Sequence, residues 1–227
     1  MKRRYGSGCG NCRQCADERE EFEGSGYRLS GEDKRVKCMR DIVVTGMEIA
    51  GEIQENLSAV GKEMGEQLID AILQADKIYS AGCGRSLLMI RGLAMRLMHI
   101  GLKSYVVGET VTPAIGEGDL LIIGSGSGET STLKVMAEKA KKAGAKLAVI
   151  TIYPESTLGK MADITVVIHG VTAKVQNDGE NHSIQPGGNL FEQSLLIFGD
   201  ALSMCVADRG GMSMDDKSIM SRHANLE

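Results

Sequence analysis

The sequence predicts a doubly wound α/β fold, a parallel sheet of about five strands flanked by helices. Three observations carry this reading. Short apolar runs of strand length alternate with stretches whose apolar residues recur at helical spacing. The runs are apolar on both faces, as strands covered on both sides must be. Two of them end in loops rich in glycine and hydroxyl side chains that lead straight into helical stretches, the place where such sheets bind ligands.

The regular pattern begins near Met39. Over 40–75, Ile42, Met47, Ile49, Ile53, Leu57, Val60, Met64, Leu68, Ile69, Ile72 and Leu73 fall at helical spacing. Gly61 divides them into two helices. These carry more apolar positions than one sheet face can cover, which predicts a self-associating chain. A strand over 77–81 closes on Gly82-Cys83-Gly84. A helix over 86–100 and a strand over 103–107 follow. The continuous run Leu120-Leu121-Ile122-Ile123 is a buried strand. The next helix, 131–143, has Lys141 and Lys142 in its last turn and Gly144 at its stop. A strand over 146–152, a short helix near 156–161, a strand over 164–169 and a long helix over 190–208 complete the pattern.

Composition sets the bounds. The 227 residues are 42% hydrophobic and 25% charged, enough to bury one sizeable core. A net charge of −4 gives no reason to expect a nucleic-acid partner. Aromatic residues are only 4%, with no Trp, so base-stacking platforms and aromatic sugar clefts are poorly supplied. No apolar run reaches the roughly 18 residues that span a bilayer, and Met1-Lys2-Arg3-Arg4 leads into a polar stretch, so a cytoplasmic protein without membrane association is expected.

Residues 1–38 differ from the rest. They hold few large apolar side chains and four of the six cysteines, Cys9, Cys12, Cys15 and Cys38. The Cys-x2-Cys-x2-Cys spacing is close to that of a zinc or iron–sulfur site. The low apolar content favours a loosely attached extension with no metal, ahead of a domain spanning 39–227.

The chemistry gathers in two loops. Ser125-Gly126-Ser127-Gly128-Glu129-Thr130-Ser131-Thr132 lies between a buried strand and a helix. Its hydroxyls and glycines converge on a helix N-terminus, whose unpaired N–H groups and dipole favour a phosphate monoester. It lacks the Lys of a Walker loop and the spacing of a dinucleotide loop. Gly82-Cys83-Gly84-Arg85-Ser86 offers a second helix N-terminus beside it, if the two strands are neighbours. Ser86 then donates to the same ligand or caps its helix, Arg85 holds the anion or pairs with an acid, and Cys83 reads as a small buried filler.

These segments carry a resemblance. Gly82-x-Gly-Arg-Ser, Met95-Arg96-Leu97-Met98-His99-x-Gly101, Val107-Gly108-Glu109-Thr110-x-Thr112-Pro113-Ala114-Ile115, the 125–130 loop and the ending His223-Ala224-Asn225-Leu226-Glu227 together resemble the sugar isomerase (SIS) domain family. Within it they resemble the 6-phospho-3-hexuloisomerases, over about 40–227. The resemblance implies an isomerase interconverting D-arabino-3-hexulose 6-phosphate and fructose 6-phosphate in the ribulose monophosphate pathway. It implies a phosphorylated ketohexose substrate, a homotetramer, a synthase as functional partner, and no cofactor. Ser86, Ser125, Gly126, Ser127, Gly128, Glu129 and Thr130 correspond to its substrate-binding motif, and Glu192 to its proton acceptor. Moving a carbonyl between adjacent carbons passes through an enediolate, which needs one base and a partner for its oxygens. A carboxylate near a helix start after Gly187-Gly188 suits the first role; His99, with His223 as alternative, is expected in the second. The approach Pro186-Gly187-Gly188-Asn189 departs from the family's Pro-Met-Gly-Thr-like form. Another SIS-type phosphosugar isomerase, or a non-catalytic phosphosugar sensor, would share the loops; the acid at 192 favours catalysis.

Overall fold

The computed structural model describes residues 40–170 and 183–225. The chain divides into two units, Met1–Glu48 and Ile49–Glu227. Of the first, only 40–48 are described. They open helix α1 (Ile42–Ser58) and leave Ile42, Val43, Val44 and Met47 exposed. Cys9, Cys12, Cys15 and Cys38 lie outside the described residues.

The second unit is built on five strands: β1 (Ile78–Gly82), β2 (Ser104–Val106), β3 (Leu120–Gly124), β4 (Lys146–Thr151) and β5 (Ile164–Val167). They lie in the order β2-β1-β3-β4-β5, every neighbouring pair parallel. The helices are α2 (Lys62–Gln74), α3 (Gly84–His99), α4 (Ser131–Lys142), α5 (Thr157–Met161), α6 (Asn189–Gly210) and α7 (Asp216–Met220). Each strand and helix expected from the sequence is present, with ends moved by a few residues. The short α7 was not anticipated; its cap is the Asp215 carboxylate, which accepts from the Ser218 N–H at 2.8 Å.

Strand side chains alternate between faces, so each strand feeds two cores. Ile78, Leu120, Ile122, Ala148, Ile150 and Val166 pack with α2, α3 and α6. Tyr79, Ala81, Leu121, Ile123, Leu147 and Val149 pack with Leu133, Ala137 and Ala140 of α4 and Leu158 of α5. This is why the strands read as continuous apolar runs. By length and composition α6 is apolar enough to cross a membrane, yet Phe191, Leu195, Leu202, Val206 and Ala207 are buried in the first core.

Two carboxylates pin the N-terminal edge of the sheet. Asp119 is 2% exposed; it accepts from the Gly116 N–H at 2.8 Å and pairs with Lys77 at 3.0 Å. Asp163 accepts from the Leu147 N–H at 2.8 Å and from Lys141 Nζ at 2.5 Å. The opposite, C-terminal edge is left for the loops.

The sheet order reverses between β1 and β3, where the crossovers leave in opposite directions and open a crevice. Gly82 and Gly124 face each other there as the last residues of the two strands.

Ile122 sits on the central strand with no exposed surface. Ile122→Ala should cost about 2–5 kcal/mol in urea unfolding; a loss below about 1 kcal/mol would contradict the placement of the core.

Candidate active site

A cavity of about 300 Å³ opens at the β1/β3 crevice. From the β1 side Cys83, Gly84, Arg85 and Ser86 line it; from the β3 side Gly124, Ser125, Gly126, Ser127 and Thr130 do; Gly188, Phe191 and Glu192 complete it from α6. The neighbourhood of β1 and β3, conditional in the sequence, is what brings the two loops together.

Three helices begin at this cavity. Their N-cap residues are Cys83 for α3, Thr130 for α4 and Gly188 for α6, and none makes a side-chain cap bond. α5, by contrast, is capped by Ser156, which accepts from the Gly159 N–H. The first N–H groups of α3, α4 and α6 therefore have no side-chain acceptor from their caps, and three positive dipole ends meet in one place. That arrangement binds anions.

The hydroxyls are set to donate. Ser125 Oγ accepts from the Gly128 N–H at 3.2 Å, and Ser127 Oγ accepts from the Glu129 N–H at 3.3 Å. With backbone donors on their lone pairs, the two O–H groups remain for a ligand. The turn depends on Gly128, whose φ is +63° and where a Cβ would overlap Ser156 Oγ.

One carboxylate and one cation line the cavity. Glu192, in the first turn of α6, pairs with Arg85 Nε at 3.0 Å; the acid's side chain is 16% exposed and the base's 46%. Burial raises the Glu192 carboxyl above the ordinary glutamate value of 4.5, and Arg85 partly offsets this by favouring the charged form. A half-buried carboxylate of raised basicity is suited to accept a proton from carbon.

The structure thus brings Ser86, Ser125, Gly126, Ser127, Thr130 and Glu192 to one cavity. Other expected residues lie outside this chain's cavity. Glu129 turns outward to α5: Oε1 accepts from the Thr157 N–H at 2.6 Å, and Oε2 accepts from Thr157 Oγ1 at 2.9 Å and Lys134 Nζ at 3.2 Å. Those donors hold its carboxyl below the ordinary value. Gly128 supports the turn without lining the cavity.

His99 is not brought to the cavity. It ends α3, whose other end lines the site, and the 13 residues from Ser86 at ~1.5 Å each separate them by about 20 Å. Its ring stacks on His223 at 5.5 Å, so the alternative histidine lies there too. Burial lowers the His99 pKa, with the charges of Arg96 and His223 adding to the effect. Cys83 is exposed rather than a buried filler, with Sγ 3.5 Å from Thr132 Oγ1. Phe191, 1% exposed, lines the site and was not singled out in the sequence; its signal is its place beside the acid in a helix's first turn. Among the described residues no group of three His, Cys, Asp or Glu side chains is placed to hold a metal.

The chain is similar to proteins of one family. The SIS domain family model matches residues 71–179. A Bacillus subtilis protein named 3-hexulose-6-phosphate isomerase is 45% identical over 180 residues, 79% of this chain and 96% of its own. One of the same name from Mycobacterium gastri is 39% identical over 196 residues, 86% and 96% of the two chains. A crystal structure from Methanococcus jannaschii, described as inferring a molecular function of 3-hexulose-6-phosphate isomerase, superposes with a TM-score of 0.68 at 33% identity, covering 81% of this chain and 99% of that one.

Ser127→Ala and Thr130→Ala should each weaken binding of a phosphate monoester about 10- to 100-fold by calorimetric titration, since one hydroxyl bond to a charged group is worth roughly 1.5–3 kcal/mol. Glu129→Ala should lower the melting temperature and leave that affinity within about 3-fold. The reverse ranking would move the anion site off the loop.

Proposed function

The chain belongs to the SIS-domain family and within it to the 3-hexulose-6-phosphate isomerases, and from that membership we propose that its cavity interconverts D-arabino-3-hexulose 6-phosphate and fructose 6-phosphate with Glu192 as the proton shuttle. The observation that carries this reading is the meeting of a hydroxyl-lined anion cradle and a single basic carboxylate in one cavity.

The phosphate takes the hydroxyls of Ser86, Ser125, Ser127 and Thr130 with the N-termini of α3 and α4. The sugar extends toward α6. Glu192 accepts the proton from C2 of the 3-keto sugar; the C2–H electrons form the enediol double bond and the C3 carbonyl oxygen takes up negative charge. The same carboxyl returns the proton to C3, while the hydroxyl proton passes from O2 to O3, leaving the carbonyl at C2. The convergent helix N-termini and Arg85 stabilise the enediolate charge as it develops. Arg85 favours the ionised form of Glu192 against the effect of burial. Since neither histidine lines this chain's cavity, the oxygen protons are assigned to the cavity hydroxyls and the substrate's own.

A phosphosugar sensor needs the cradle but no buried base, so the paired Glu192 favours catalysis. The enzyme is assigned to the cytoplasm and to a homotetramer. Exposed Leu88 and Met95 of α3 and Ile197 and Met204 of α6 supply apolar surface for a second copy. A 3-hexulose-6-phosphate synthase is the matching supplier of substrate.

Glu192→Gln keeps shape and removes basicity. It should lower kcat about 100- to 10,000-fold with little change in KM, in an assay coupling fructose 6-phosphate formation to synthase-generated substrate. A wild-type protein inactive in that assay would overturn the substrate assignment.

The pH profile tests the ion pair. The Glu192 carboxyl lies above 4.5 in the folded protein, so kcat/KM should fall as pH drops through that raised value. Arg85→Met removes the influence that favours the charged form, so the acid limb should move to higher pH. A downward shift would contradict the pairing. Light scattering at micromolar concentration should give a mass above the monomer's 24.3 kDa, a tetramer on this reading.

A further inference from the structure

Helix α1 makes an unusual contribution to the fold. Of its 17 residues, the one fully buried is a polar amide, Asn56, at 6% exposure. A helix packed for core stability buries an apolar stripe. The polar contacts of Glu52 and Asn56, one turn apart on one face, all reach segments on either side of Glu192.

Glu52 holds the approach to α6. Its Oε1 accepts from the Ile184 N–H at 2.8 Å; its Oε2 accepts from Ser183 Oγ at 2.7 Å and Gln185 Nε2 at 2.9 Å. Gln185 is 7% exposed, and its N–H donates to Ser183 Oγ at 3.0 Å, which closes the turn. Pro186, Gly187 and Gly188 then lead into α6, where the Glu192 N–H donates to Gly188 O at 3.0 Å. Asn56 holds the other side. Its Nδ2 donates to Ser194 Oγ at 2.8 Å and to His169 O, beyond the end of β5, at 2.9 Å. Ser194 is fully buried, two residues after Glu192. The acid is thus bracketed by residues tied to one face of one helix.

The bracket carries a stability cost. Asn56 Oδ1 and Gln185 Oε1 are buried without a partner among the described residues, and such acceptors are unfavourable. An apolar pair at these positions would pack without that penalty.

We propose that Glu52 and Asn56 are positioning residues for the isomerisation, acting through the 183–185 turn and Ser194 to hold Glu192 at its working distance from Arg85 and the substrate carbons. This deepens the proposed function and rests on Glu192 being the base. The phosphate cradle stands on the β1 and β3 loops, so the bracket governs the proton transfer and not the anchoring of substrate. Glu52 holds the turn as a carboxylate. Burial works against its charge, but the three donors prevail and keep the carboxyl below 4.5.

Glu52→Gln separates the charge from the shape. The new amide turns one acceptor into a donor facing donors, so the turn must shift. In the full chain kcat should fall roughly 10- to 100-fold with KM within about 3-fold, a displacement of about 1 Å being enough for such a loss. The acid limb of kcat/KM should move to higher pH as Glu192 leaves Arg85, and Glu52→Asp should recover most of the rate. Asn56→Ala, the second variant should Glu52→Gln not fold, should show the same split. Asp70→Asn, which weakens the exposed pair with Arg209, is the control and should leave kcat unchanged. A folded Glu52→Gln enzyme with wild-type kcat and pH profile would overturn the proposal, as would equal losses in kcat and KM affinity.

Amide hydrogen exchange separates this from the function itself. Exchange over 189–194 should quicken in Glu52→Gln while the first turn of α4 keeps its wild-type rate. If wild-type protein fails to isomerise hexulose phosphate, the substrate reading falls and this exchange alone judges the bracket; unchanged exchange over 189–194 overturns it.

Discussion

The reversal of strand order between β1 and β3 is the constraint on which the site depends. It makes β1 and β3 neighbours whose chains leave to opposite faces of the sheet, so the helices that follow begin at one crevice. α3 and α4 start there, and α6 adds a third N-terminus from the far end of the chain. Without the reversal, Ser86 and the 125–130 loop would belong to separate surfaces. On the proposed function the anion cradle is therefore a property of topology, with side-chain hydroxyls tuning what the backbone already favours.

Against this positive background the placing of one buried acid has a clear logic. Water exclusion raises the basicity of Glu192, and Arg85 restrains the rise by favouring the charged form. A carboxylate free in solvent is a weaker base, and burial without a cation disfavours its charged form. The two residues come from α6 and α3, helices packed together on one face of the sheet, so core packing determines how far apart they lie. Burial of Leu93, Leu195 and Leu202 is in this sense part of the geometry of the Arg85–Glu192 pair.

How much of this could be read beforehand follows from the range of each interaction. Strands such as Leu120–Gly124 were legible because burial on both faces leaves a local trace, an unbroken apolar run. The hydroxyl density of 125–130 was legible for the same reason. Glu192 stands out chiefly by resemblance, since little in the local pattern distinguishes it from any acid in a first helical turn. His99 shows that nearness in a motif is not nearness within the chain: a straight helix carries it away from the loop where its own segment begins. Glu129 belongs to the hydroxyl-rich loop by sequence yet faces the neighbouring helix, which loop membership alone does not reveal. Glu52 and Asn56 left no trace at all, their partners lying more than 100 residues away in sequence.

On the proposed function, Glu192 moves a proton between adjacent carbons of a phosphosugar held at the β1/β3 crevice. Isotope exchange reads that step directly. Wild-type enzyme equilibrating fructose 6-phosphate and its 3-keto isomer in deuterated water should place solvent deuterium on the carbon that gains hydrogen, by mass spectrometry or proton NMR. Glu192→Gln protein, still binding the sugar phosphate, should leave that carbon unlabelled over the same time. Label entering at the wild-type rate in Glu192→Gln would place the base elsewhere and contradict the account.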